Sequence, residues 1–146
     1  VDCAQMLVKL EYFNSWQKRR EDIAHFWIEN MPDEISVPRP STEFTEHAWS
    51  KFVIRTLDRN ELMDHLWQNE IDTKIHYTQG LYDLPMGLAA SNNTFLSTER
   101  FTKHCLSLPI YPELTDVEVE RIVDTIYDFY RGSRNILSAS PNQNLA

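Results

Sequence analysis

IDTKIHYTQGLYDLP, Ile71 to Pro85, is the stretch around which the rest of the chain is organised. Ile71, Thr73 and Ile75 alternate with Asp72 and Lys74, a period of two that puts one set of side chains against a core and the other in water. A short strand is therefore expected over 71–75. His76 and Tyr77 then bring an imidazole and a phenol to the strand's end, and a loop with Gly80, Tyr82 and Pro85 follows without a hydrophobic period. Loops held by a scaffold carry function, which makes these polar aromatic groups candidate ligand contacts. The bland reading stays open beside that one: a His next to a Tyr also serves as a satisfied structural pair.

Working outward, Trp49 to Leu57 (WSKFVIRTL) is rich in aromatic and β-branched residues and reads as a strand that can be buried on both faces. Asp58, followed three positions later by Glu61, resembles a helix-starting capping box, and Leu62, Met63, Leu66 and Trp67 recur at helical spacing. Asn69 and Glu70 occupy the turn that follows, where Asn tolerates a left-handed conformation. Further upstream, residues 1–31 form one long helix: apolar Leu7, Leu10 and Phe13, then Ile23, Ala24 and Trp27, are separated by the charged run QKRRED. The prolines of PDEISVPRP, Pro32 to Pro40, end that helix and impose an extended connection.

Downstream, GLAASNNTFL from Gly87 is a flexible connection. Ser97 is placed to cap a short helix running to Cys105, with Glu99 in its first turn. LSLPIY, from Leu106, reads as a short strand that Pro109 confines to an edge or a strand end. Thr115 and Glu118 make a capping box for a last helix with one apolar stripe, Val119, Ile122, Val123, Ile126, Phe129 and Tyr130. Gly132 is the expected helix stop, and the polar stretch 132–146 is read as a mobile tail. The order of elements gives an α+β domain, a small sheet with helices mainly on one face, its strands antiparallel or mixed.

A chain of 146 residues fits one domain with one core. Its formal net charge of -8 repels phosphate backbones, so no nucleic acid is expected as a partner, and Lys18, Arg19 and Arg20 read as a solvated helix face. No apolar run approaches the ~20 residues that span a bilayer, and no membrane partner is expected. Cys3 and Cys105 suggest no disulfide framework, and with no secretory signal at the start a reducing cytoplasm is the expected compartment. The histidines are scattered, so no metal site is expected. The chain does not open on Met, which suggests a fragment.

Four segments, MLVKLEYFNSWQKRREDIAHFW from Met6, HAWSKFVIR from His47, DRNELMDHLWQNEIDTKIHY from Asp58 and LSLPIYPELTDVEVERIV from Leu106, stand in an order and spacing that resemble the carboxy-terminal part of the DegT/DnrJ/EryC1/StrS family. These are pyridoxal-phosphate-dependent nucleotide-sugar aminotransferases. The resemblance runs from about Ala4 to Phe129 and covers only about half of such an enzyme. It implies an antiparallel sheet, as in the small domain of fold-type I aminotransferases, with 1–131 as that domain and the helix at about 4–31 as the connector from the large one. Phe13, Trp16 and Trp27 on that connector are then expected to face the missing large domain.

The cofactor's Schiff-base lysine, its acidic partner and its phosphate cup belong to the family's large domain. None of Lys9, Lys18, Lys51, Lys74 and Lys103 lies in a context like the family's cofactor-lysine motif. No catalytic or cofactor-binding residue is therefore expected here, and the chain alone is not expected to hold pyridoxal phosphate. What the resemblance assigns to this part is a wall of the substrate cleft, with His76 and Tyr77, and Tyr82 beside them, as substrate-binding residues. Where the family often continues His-Tyr-Pro and then a Pro-Leu-His run, this chain has HYTQGLY; Thr78 and Gly80 replace prolines and Tyr82 falls where a His is common, which bears on sugar specificity. The implied parent is a homodimeric enzyme passing an amino group, with glutamate as the donor, to a nucleotide-linked keto sugar. The alternative from another class is a non-catalytic, stand-alone α+β binding or interaction module.

Overall fold

A computed structural model describes residues 2–40, 47–84 and 95–138. Helix α1 spans Asp2–Asn30, and its two halves meet different surroundings. Near its end Ile23, Ala24 and Trp27 lie on one side of successive turns and are buried, and the Trp27 indole donates to the Val119 carbonyl at 3.1 Å. Trp27 is therefore a core residue, not part of an exposed face. Near its start Met6, Leu7, Leu10 and Phe13 are exposed, and Trp16 is half-buried with its ring on Tyr12. The basic cluster is also less free than expected: Lys18 pairs with Glu21 and Asp22, but Arg19 is tied to Asp116 at 2.8 Å and joins α1 to the last helix.

Strands β1 (Phe52–Arg55) and β2 (Cys105–Leu108) pair antiparallel, with Phe52 opposite Leu108 and Ile54 opposite Leu106. These four residues face one way and are almost wholly buried, sharing a core with Trp27 of α1, Leu62 and Leu66 of helix α2 (Arg59–Gln68), and Ile122 and Ile126 of helix α4 (Asp116–Ser138). Helices α1, α2 and α4 thus cover one face of a small antiparallel sheet, while Phe101 of α3 (Leu96–His104) lines a groove with Val53 and Arg55 on the other, which agrees with helices mainly on one face. Trp49 leads into β1 in a left-handed conformation (φ 47), uncommon for so large a side chain; its N–H donates to His47 Nδ1 at 3.0 Å and its ring stacks on Phe52.

The sheet is widened by one rung on each side. Ser36 pairs with Arg55 beyond β1, and Lys74 pairs with Ser107 beyond β2. The expected strand at 71–75 is consequently a single bridge, although its alternation is real: Ile71 is buried and Ile75 packs on the core while Asp72 and Lys74 are exposed. The reason lies in the partner. The next rungs would pair Asp72 with Pro109, which has no N–H, and His76 with Cys105, whose N–H is already given to the Phe101 carbonyl at the end of helix α3 (Leu96–His104). Pro38 stands in the same position opposite Val53 on the other side.

Local signals met mixed fates. The Thr115/Glu118 capping box forms, with Thr115 N–H to the Glu118 carboxylate at 2.8 Å and Glu118 N–H to Thr115 Oγ1 at 3.3 Å. Asp58 makes no side-chain cap; its carbonyl accepts from Leu62 instead. Helix α3 starts after Phe95, so Ser97 lies inside it. Helix α2 ends in a Schellman motif, Ile71 N–H to Leu66 O and Glu70 N–H to Trp67 O, which puts Glu70 and not Asn69 in the left-handed position (φ 61). Gly132 does not stop α4: it lacks a positive φ, and the helix runs on to Ser138. The connection from Gly87 to Thr94 and the tail at 139–146 lie outside the described residues.

Candidate functional site

The face of the sheet away from the helices carries Val53 and Arg55 from β1, Cys105 and Ser107 from β2, and then Lys74 and His76, because side chains two apart share a face and the pairings fix the rows. His76 lies beside Ser107, and its Nδ1 meets Ser107 Oγ at 2.9 Å. This histidine is thus held as a structural group, but its hydrogen-bond partner is Ser107, with Tyr77 meeting only its ring. Tyr77 follows across a cis peptide bond and turns outward: it is 68% exposed, and among the described residues no hydrogen bond reaches its hydroxyl. The two rings meet edge to face at 5.6 Å, and the Tyr77 carbonyl lies 3.9 Å from Cys105 Sγ. Burial pushes the Cys105 thiol up from its ordinary value, so it stays protonated at neutral pH and is no nucleophile.

Tyr82 does not join that pair. It sits in a 3-10 turn, Leu81–Asp83, that Asp83 closes by accepting the Gly80 N–H at 3.1 Å, and its ring stacks on Phe95 at 4.9 Å. The ring lies so close over Gly80 that a Cβ there would fall 2.4 Å from Tyr82 Cε1, so any larger residue would push the ring away. Desolvation first, then Asp83 and Glu99, raise the Tyr82 phenol above its ordinary value and keep it neutral. The sequence therefore placed His76 and Tyr77 together by adjacency but missed Ser107, 31 residues from His76, and Phe95. The register of the sheet is the signal that identifies Ser107; Phe95 fell in a stretch read only as a connection.

A Schiff-base lysine needs a desolvated pocket beside an acidic partner for the pyridine nitrogen. All five lysines of this chain are exposed, and Lys18 is already engaged by two carboxylates. The described residues do not fit pyridoxal phosphate by themselves. Among them no group of three or more His, Cys, Asp or Glu could hold a metal ion, and no helix is long and apolar enough to cross a membrane.

An antiparallel sheet backed by α1, α2 and α4 is the fold of the small domain of fold-type I aminotransferases. The crystal structure of S. venezuelae DesV in complex with a ketimine intermediate matches it at a TM-score of 0.80 and 28% identity, over 86% of this chain and 35% of that one. TlmJ from Streptoalloteichus hindustanus, at 19% identity and a TM-score of 0.77 over 87% of this chain and 35% of its own, shares the fold. Residues 1–127 match the DegT/DnrJ/EryC1/StrS aminotransferase family, and the chain belongs to that family.

Among curated relatives, the dTDP-3-amino-3,4,6-trideoxy-alpha-D-glucose transaminase of Streptomyces venezuelae is 29% identical over 132 residues, 88% of this chain and 35% of that protein. The dTDP-3-amino-3,6-dideoxy-alpha-D-galactopyranose transaminase of Aneurinibacillus thermoaerophilus is 27% identical over 126 residues, 86% of this chain and 35% of its own length. The chain thus spans about a third of the relatives it matches, less than the half that the motifs imply.

Proposed function

We propose that this chain is the small domain of a cytoplasmic, homodimeric, pyridoxal-phosphate-dependent enzyme that passes an amino group from glutamate to a nucleotide-linked keto sugar. Family membership supports the reaction class, and the sugar transaminases among its relatives support the substrate class. The remainder of the enzyme holds the cofactor, which supplies the electron sink for transamination when bound. This chain supplies a wall of the substrate cleft. The observation that carries the reading is the division of labour at 76 and 77: Ser107 anchors the imidazole on the sheet, while the adjacent phenol is left exposed and without a partner among the described residues. Tyr77 donates to the diphosphate or a sugar hydroxyl, the free ring nitrogen of His76 lies next to it, and Tyr82 lines the loop beyond.

Tyr77→Phe in the full-length enzyme tests this. Losing a hydrogen bond to a charged group costs about 1.5–3 kcal/mol, or roughly 10- to 150-fold in kcat/KM, expressed as a higher KM for the nucleotide sugar with kcat little changed. His76→Ala raises KM in the same way but also lowers the melting temperature, because it frees Ser107. Unchanged KM in both variants with a large loss of stability would make the pair purely structural. The chain alone, mixed with pyridoxal phosphate and borohydride, is expected to show no stoichiometric, lysine-specific adduct.

A further inference from the structure

We propose that Tyr82 and Phe95 form an aromatic clasp that positions Tyr77, so that both act through Tyr77 and neither is itself a contact to the nucleotide sugar. The inference rests on the reading of Tyr77 as the substrate contact. Tyr77 opens a segment, 77–83, that is tied to α3 at both ends. At the first end Cys105, just past the helix, brings its thiol to 3.9 Å from the Tyr77 carbonyl and to the same distance from the Thr102 carbonyl of α3. At the other end the Tyr82 ring stacks on Phe95, the residue before the helix, with centroids 4.9 Å apart and planes inclined by 22°. Between these ties Thr78 and Gln79 are exposed, and among the described residues no hydrogen bond joins 78–83 to another element.

The lengths agree with a strap. The five residues from Tyr77 to Tyr82 reach at most about 17 Å, and the ten from Phe95 to Cys105 rise about 15 Å as helix, so there is little slack. A thiol donates only weakly to a carbonyl, which leaves the stack as the firmer of the two ties. The ring is also coupled to the backbone that carries it. Gly80 and Asp83 close the turn in both directions, Gly80 N–H to the Asp83 carboxylate at 3.1 Å and Asp83 N–H to the Gly80 carbonyl at 3.0 Å, and Gly80 lies directly against the ring. Neither Tyr82 nor Phe95 belongs to the core that α1, α2, α4 and the sheet share. Undoing the clasp therefore frees Tyr77 without unfolding the chain.

A double-mutant cycle in the full-length enzyme tests this. Phe95→Ala, and Gly80→Ala, which pushes the ring away, are expected to raise KM for the nucleotide sugar about 2- to 10-fold with kcat and melting temperature little changed, while Phe95→Tyr keeps the stack and a near-native KM. In a Tyr77→Phe background the effect of Phe95→Ala should vanish, because the clasp acts through that hydroxyl. The isotope-labelled chain supplies a readout apart from activity: Phe95→Ala lowers the amide order of Tyr77 and Thr78 and changes the ring-current shift of the Gly80 α-protons. An unchanged KM in Tyr77→Phe itself sinks the substrate reading, whereas the clasp stands or falls on that loss of order. Unaltered order at Tyr77 in Phe95→Ala, additive effects in the cycle, or a KM in Tyr82→Phe as high as in Tyr82→Leu would each overturn the proposal, the last by making the Tyr82 hydroxyl a substrate contact.

Discussion

Phe52 and Val53 are neighbours in sequence and stand on opposite faces of one sheet. Phe52 is fully buried, edge-on to Trp27 and stacked on Trp49, whereas Val53 is half-buried and overlooks the groove that Arg39, Lys51 and Arg55 line. The contrast holds along β1 and at Lys74, whereas on β2 both faces are buried, Cys105 and Ser107 included. On the helix side Phe52, Ile54, Leu106 and Leu108 are sealed, and stability is concentrated there; on the other side polar and basic groups are held in place by the same backbone but are not needed to hold it together. A small domain can therefore vary its outer face at little thermodynamic cost.

The largest effect expected from this comparison is Phe52→Ala, which removes the ring between two tryptophans and costs about 3–5 kcal/mol, against less than about 1 kcal/mol for Val53→Thr. Urea unfolding of the two variants measures both, and equal losses would erase the distinction between the faces.

Thr56 sharpens the comparison, because it is a polar residue on the sealed side. Its hydroxyl and that of Tyr130 are 2.6 Å apart, and both residues are buried. Thr56→Val leaves the phenol without a partner and is expected to cost about 1–3 kcal/mol. Desolvation raises the Tyr130 phenol above its ordinary value of 10.0, partly offset by the bond to Thr56. The folded state therefore keeps this proton to higher pH than the unfolded state. The corresponding stability is complete below pH 10 and is lost as pH rises toward the folded value. Stability measured against pH should fall on the alkaline side in the native chain and fall less steeply in Tyr130→Phe.

Glu70 gives the smallest effect, of opposite sign. It feeds the outer segment from a left-handed position that glycine adopts without strain, and its ion pair with Arg121 is long, 3.9 Å, and exposed. Glu70→Gly should stabilise the chain by about 0.5–1 kcal/mol, read as a higher denaturation midpoint, without disturbing either face.

The legible parts of the fold were those whose causes are local. The capping box at Thr115 and Glu118 and the apolar stripe after it lie within one helix, each contact spanning no more than about one turn, and both appear as read. Alternation at 71–75 correctly sorted buried from exposed, but whether it becomes a strand depends on positions 29 and 37 residues away, Cys105 with its N–H already used and Pro109 with none. Trp27 was expected with Phe13 and Trp16 to face a missing domain, but α4 packs over it and Val119 accepts its indole proton. At the candidate site the adjacency of His76 and Tyr77 was plain in the sequence. Their different roles were not, because Ser107 chooses between them through the register of the sheet. Tyr82 was grouped with them on sequence proximity, yet a turn closed by Asp83 sends its ring to Phe95.

Pro38 and Pro109 do more than shorten the sheet. The outer segments they limit are paired at one residue each, so among the described residues neither flank offers a long ladder onto which a strand from another molecule could zip. This matters for a chain whose first helix leaves Met6, Leu7, Leu10 and Phe13 uncovered, since sticky side chains beside an open ladder are a common start for fibrous aggregation. With the ladders cut short, association is left to side chains on a helix, and that kind of contact comes apart again.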